Sequence, residues 1–201
     1  MLPLWKQMER LCELGFDEAA GFSKSEFEKY LPGKNLAVDR GKDGLLVVSE
    51  RCVGVAKQCE LLGIRNEIRM NEHRDELKTP RTLLYVIYSA ESGLESLGFS
   101  AAVALENFKT AKRRPCTTVE VLAIYREIYS ENLENIYHGD SDKSKVKTSR
   151  FIDAAGSRVG EGMVPTLFFD RNRQPYGQRL MAYEDLNKNF EHSGVASCSS
   201  E

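Results

Sequence analysis

The chain has 201 residues, of which 41% are hydrophobic and 29% charged, and its net charge is −2. A chain of this length buries enough apolar surface to fold without disulfides or metals. The near balance of sign excludes a global attraction to nucleic acid or anionic membrane.

Five cysteines (Cys12, Cys52, Cys59, Cys116, Cys198) make an odd number, and none has C-x-x-C spacing. That argues against a disulfide scaffold or zinc ribbon and for a reducing cytoplasm. The opening MLPLWKQMERLCELG carries charge from Lys6 onward and does not read as a signal peptide. The longest apolar run, LLYVIY (83–88), is too short to span a bilayer. A cytoplasmic protein without membrane contact is the expectation.

Leu4, Trp5, Met8, Leu11 and Cys12 recur at helical spacing, with Pro3 at the entry and Gly15 at the exit. Ser23 and Glu26 then form a capping box, with Phe22 and Phe27 at the staple positions, and Leu31 closes the helix before Pro32. Residues 1–33 are therefore expected to form a helical hairpin. LLVVS (45–49) is a strand, after which Ser49 caps a helix carrying Cys52, Val55, Ala56, Cys59 and Leu62 to a stop at Gly63. Residues 64–78 are polar and lack a period. TLLYVIYS (82–89) is a second strand, and LESLGFS (94–100) is expected to return as its partner.

Ser100 caps a helix to Ala111, and Pro115 breaks the chain. Thr117 and Glu120 open another helix, with Val121, Leu122, Tyr125, Ile128 and Tyr129 inward and the pattern continuing to Tyr137. Residues 138–149 form a polar loop. From 150 to 192 the chain reads as strands joined by turns. Residues 193–201 read as a flexible tail, because their side chains are small. The fold class predicted is α+β: one domain over 1–192, with a small mixed or antiparallel sheet packed against several helices.

GSRVGEGMVPTLFF (156–169) places three glycines ahead of an apolar run. A phosphate loop would need a helix after the glycines, so that its N-terminal amides meet the anion. Here a strand follows. Gly156, Ser157, Arg158, Gly160 and Gly162 remain candidates for an anion or ligand held by a bare nest of amides. The alternative reading is that the glycines only deliver the strand. Pro165 implies an edge strand, a strand starting after the proline, or a bulge.

From Lys109 to Arg179 the chain carries 13 Lys or Arg against 9 Asp or Glu. Basic segments at 109–115, 143–150 and 171–179 supply nucleic-acid candidates in Lys112, Arg113, Arg114, Lys145, Lys147 and Arg173. The alternative is a set of solvated loops. His73, His138 and His192 are far apart and show no metal-ligand spacing, so no metal or cofactor is expected.

LLVVSE (45–50), RRPCTTVEVLAIYRE (113–127), GSRVGEGMVPTLFF (156–169) and HSGVASC (192–198) together resemble an uncharacterised bacterial family, domain of unknown function 5701. The resemblance implies a bacterial α+β domain with no known activity. It makes Gly156, Ser157, Arg158, Gly160 and Pro165 family-typical positions. Without a recognisable acid, base, nucleophile or metal set, the expected function is a non-enzymatic binding or interaction module with a possible protein partner. Nucleic-acid association and a phosphate- or nucleotide-handling enzyme around residues 156–162 are the alternatives.

Overall fold

A computed structural model describes residues 2–32, 44–129, 151–170, 177–183 and 193–200. The fold is α+β. Helices α1 (Leu4–Glu13), α2 (Phe16–Ala19) and α3 (Lys24–Phe27) open the chain. The expected two-helix hairpin is thus interrupted. The chain turns at Gly15 and winds one extra helical turn, which buries Phe16.

Strand β1 (Gly44–Val48) pairs antiparallel with β4 (Leu84–Tyr88), so both apolar runs are strands. Alternate side chains of β1 enter different cores. Leu45 and Val47 join the largest apolar cluster, while Leu46 and Val48 pack with Met8, Leu11, Phe16 and Phe27 under the opening helices. A strand covered on both faces is apolar at every position rather than at every second one.

The outer edge of β1 has no strand beside it among the described residues, yet it is buried. Three polar side chains meet its main chain instead. The Gln7 amide donates to Gly44 O at 2.8 Å and accepts from Leu46 N–H at 2.8 Å. Arg126 donates to Leu46 O at 2.7 Å, and Gln58 to Val48 O at 3.1 Å.

Helix α4 (Val55–Leu61) begins after Gly54 rather than after Ser49. Ser49 O instead accepts from Cys52 and Val53 N–H, which winds residues 50–53 into turns. The short strands β2 (Arg65–Asn66) and β3 (His73–Asp75) fall in the polar stretch without a period. The expected return strand at 94–100 is absent. Glu91 accepts the amides of Gly93, Leu94 and Glu95, and Ser96 Oγ bonds Val195. These local side-chain bonds wind the segment into turns.

Helix α5 (Ala101–Thr110) is capped by Ser100 as expected. After β5 (Arg113–Pro115), α6 (Thr118–Ile124) starts with Glu120 accepting Thr117 N–H at 2.8 Å. It then widens into a single π turn over Tyr125–Tyr129, which carries Arg126 towards β1. The expected continuation to Tyr137 and the loop at 138–149 lie outside the described residues.

Strands β6 (Phe151–Asp153), β7 (Ser157–Val159), β8 (Val164–Asp170), β9 (Gly177–Tyr183), β10 (Ser193–Val195) and β11 (Ser197–Ser199) complete the chain. A mixed sheet runs β10-β6-β8-β9-β2, and β3–β7 and β5–β11 form separate pairs.

Strand β8 contains Pro165 yet lies between β6 and β9, which corrects the edge, late-start and bulge readings. Pro165 O accepts from Ala154 N–H, so the missing donor also faces that neighbour, just past the last β6 pair, Asp153 with Thr166. No ladder bond is lost there. The expected tail is likewise corrected, since Val195, Ala196 and Cys198 are fully buried. The small residues serve close approach: the Gly93 and Gly194 backbones touch, leaving no room for a Cβ on either. Among the described residues, no helix is long and apolar enough to cross a membrane.

Replacing Gln7 with Leu would leave Gly44 O and Leu46 N–H buried without partners. Each orphan costs about 1–3 kcal/mol, so urea unfolding should show a loss of that size per group. An unchanged midpoint would contradict this account of the β1 edge.

Candidate functional site

A surface cleft of about 520 Å3 opens where the chain leaves β1 and where β3 runs towards β4. Ser49, Glu50 and Arg51 line one side, and Asp75, Leu77, Lys78 and Arg81 line the other.

Buried polar groups stand behind this wall. The His73 side chain is 1% exposed, and its Nδ1 lies 3.6 Å from Glu50 Oε1. His73 Nε2 shares a 2.9 Å hydrogen bond with Thr118 Oγ1. Thr118 N–H, at the start of α6, donates to Ser157 Oγ at 2.9 Å, and Ser157 Oγ donates to Asp75 Oδ1 at 2.5 Å. The polar circuit therefore begins at Glu50 and ends at Asp75, and both acids face the cleft.

Ser49 Oγ and His73 Nδ1 are buried without a hydrogen-bond partner. Such groups are uncommon in folded proteins, because each forfeits the water it would otherwise bond. Burial raises the Asp75 carboxyl above its ordinary value. The Ser157 hydrogen bond and His73 pull it down, while Glu50 and Glu120 push it up.

The Gly-rich stretch positions this wall. Strand β7 pairs with β3 in the register His73–Val159, Arg74–Arg158 and Asp75–Ser157, which sets Ser157 beside Asp75. Gly156 fits because a Cβ there would sit 2.9 Å from Cys116 O. Its N–H bonds Cys116 O, Ser157 N–H bonds Ala154 O, Val159 N–H bonds Met163 O and Gly160 N–H bonds Glu72 O. These amides are committed to carbonyls and do not converge as a nest. Gly162 sits in the open turn. Arg158 turns its guanidinium onto Ala155 O and Ser157 O, and burial lowers its pKa. Of the five candidates, only Ser157 reaches the cleft wall, through its side chain rather than its amide.

Of the six basic candidates, Lys112, Arg113 and Arg114 lie among the described residues. Arg113 donates to Ser197 Oγ and Ser89 O, Arg114 grips Glu120, and Lys112 is exposed. Lys145, Lys147 and Arg173 lie outside the described residues.

A second constellation joins Cys116, Cys198 and Glu120, whose ligand atoms lie within 4.8 Å of one another. Burial raises the Cys116 thiol, while a hydrogen bond from Cys116 lowers Cys198. The donor set resembles a metal centre by residue type only. Glu120 Oε1 already accepts from Arg114 at 2.7 Å and Tyr85 at 3.3 Å, and Oε2 accepts from Arg114 and Thr117 N–H, each at 2.8 Å. Those four bonds fill its lone-pair sites, so a cation would have to displace the Arg114 fork. We read the cluster as a structural clasp between β11 and the β5–α6 junction.

Sequence reasoning missed Glu50, Arg51, Asp75, Lys78 and Arg81, set His73 aside as a histidine without metal-ligand spacing, and took Ser49 for a helix cap. Nothing in their local spacing marks them, since they meet only through pairing between distant short strands. No family model, curated protein or solved structure matches this chain.

Two measurements check the site's electrostatics. Because the folded pKa of Asp75 lies above its ordinary 3.8, the native state binds more protons than the unfolded chain above that pH. Stability contributed there falls as pH rises through the window. Asp75→Asn should therefore gain on the parent protein in urea midpoint from about pH 4 to neutral; a narrowing difference would contradict the sign. Glu120→Gln should cost about 3 kcal/mol, the low end for a broken buried pair, because Arg114 is partly exposed. A loss typical of a surface pair, under about 1 kcal/mol, would show the clasp is slack.

Proposed function

We propose that this protein is a ligand-binding module whose cleft between Ser49–Arg51 and Asp75–Arg81 takes a small molecule bearing an anionic group. One observation carries the reading: Arg51, Lys78 and Arg81 line the cleft, and none has a hydrogen-bond or ion-pair partner among the described residues. Free cations on a concave wall attract anions more strongly than scattered surface charges do. Ser49 Oγ, buried and unpartnered beside them, adds a hydrogen-bonding group that a ligand would satisfy. The volume suits a small ligand rather than a polymer.

A non-enzymatic role fits the wall's chemistry. Ser157, the hydroxyl nearest in kind to a nucleophile, is fully buried and bonded to Asp75 and Thr118. A cytoplasmic setting is part of the proposal, supported by five free cysteines. Membership of domain of unknown function 5701 belongs to it too, and would make Ser157 a typical residue for a positional reason.

The test is a melting scan of the whole chain against inorganic phosphate, small mono- and dicarboxylates and free α-amino acids. Saturating one site at about 100 times Kd adds about 2.7 kcal/mol of stability, enough to move the midpoint clearly. At least one compound should raise the midpoint, and the triple variant Arg51→Gln, Lys78→Gln, Arg81→Gln should abolish that rise. A shift of equal size in the triple variant, or no shift with any compound, would overturn the proposal.

A further inference from the structure

The same cleft carries charges of both signs that do not neutralise each other. Glu50 and Asp75 line it together with Arg51, Lys78 and Arg81. Opposite charges sharing so small a space normally close to pairing distance, because the attraction strengthens as they approach. Here Asp75 is held back by the Ser157 hydroxyl at 2.5 Å, and Glu50 lies 3.6 Å from the buried His73 imidazole. The cations sit on exposed stretches with no partner to draw them in.

An anion alone would gain the cations but meet two carboxylates. A cation alone would meet the reverse. A molecule with a positive and a negative pole a few bonds apart meets neither penalty. Ser49 Oγ is free to bond either pole, and Leu77 and Pro80 give the wall an apolar portion.

Resting on the ligand-binding reading above, we propose that the cleft recognises a small zwitterion of the α-amino acid class, with its ammonium group facing Glu50 and Asp75 and its carboxylate facing Arg51, Lys78 and Arg81. At about 520 Å3 the cleft exceeds the common backbone unit, leaving space for a side chain. Binding is non-covalent and reversible.

Calorimetric titration of the full chain tests this with each of the twenty α-amino acids and inorganic phosphate. The tightest amino acid is then compared with its N-acetyl derivative, which lacks the positive pole, and with its carboxamide, which lacks the negative one. Each blocked form should bind about ten-fold more weakly or worse, since each abandons a charge-assisted contact. Glu50→Gln should narrow the gap between the free and N-acetylated forms, and Arg81→Gln the gap between the free acid and the carboxamide. Both positions are exposed, so both variants should fold.

An N-acetyl form that binds as tightly as the free amino acid, or phosphate binding while no amino acid does, would overturn the zwitterion and leave an anion site standing. Absence of binding by every probe would sink both readings.

Discussion

Strand β1 is buried on both faces and, among the described residues, paired with a strand on one edge only, so its other edge must find hydrogen bonds inside the protein. Buried main-chain groups without partners cost about as much as lost hydrogen bonds, and the strand could not stay there otherwise. Gln7 from α1, Gln58 from α4 and Arg126 from the π turn after α6 meet that demand. Three elements far apart in sequence are thereby fixed to one strand. The π turn has a reason in this arrangement, because it carries Arg126 to Leu46 O. The exit of β1 is fixed too, and that exit is Ser49–Arg51, one wall of the cleft.

The opposite wall depends on a separate chain of contacts. Strand β3 is three residues long and would not persist alone. It is held by β7, whose approach requires a glycine against Cys116 O. Thr118, at the start of α6, then ties Ser157 and His73 into one polar network. The Gly-rich stretch therefore acts through geometry: it aligns a buried hydroxyl with an acid on the cleft wall, and its amides are spent on the chain itself.

Local chemistry made parts of this legible in sequence. Ser100, Glu26 and Glu120 are capping residues whose role depends on neighbours three positions away, and they start helices where expected. The apolar runs of β1 and β4 are strands because their β-branched and aromatic composition matches a pleated, buried surface. What sequence alone could not reveal depends on distant partners. Pro165 reads as an edge residue until Ala154 and Asp153 show where β6 ends. Small side chains at 193–200 suggest looseness, but beside Gly93 they permit close packing. The cleft acids and bases sit on turns, connecting segments and one three-residue strand, which are too short to leave a period.

The claim most exposed to test is that the cleft between the end of β1 and the β3–β4 connection receives ligand. Isotope-labelled protein titrated with a tight-binding amino acid would decide it through amide chemical shifts. The account predicts saturable changes concentrated at Ser49, Glu50, Arg51, Asp75, Lys78 and Arg81, with the His73 ring nitrogens responding in step. Changes centred on Lys112 and Arg113, or spread over the surface without saturation, would contradict it.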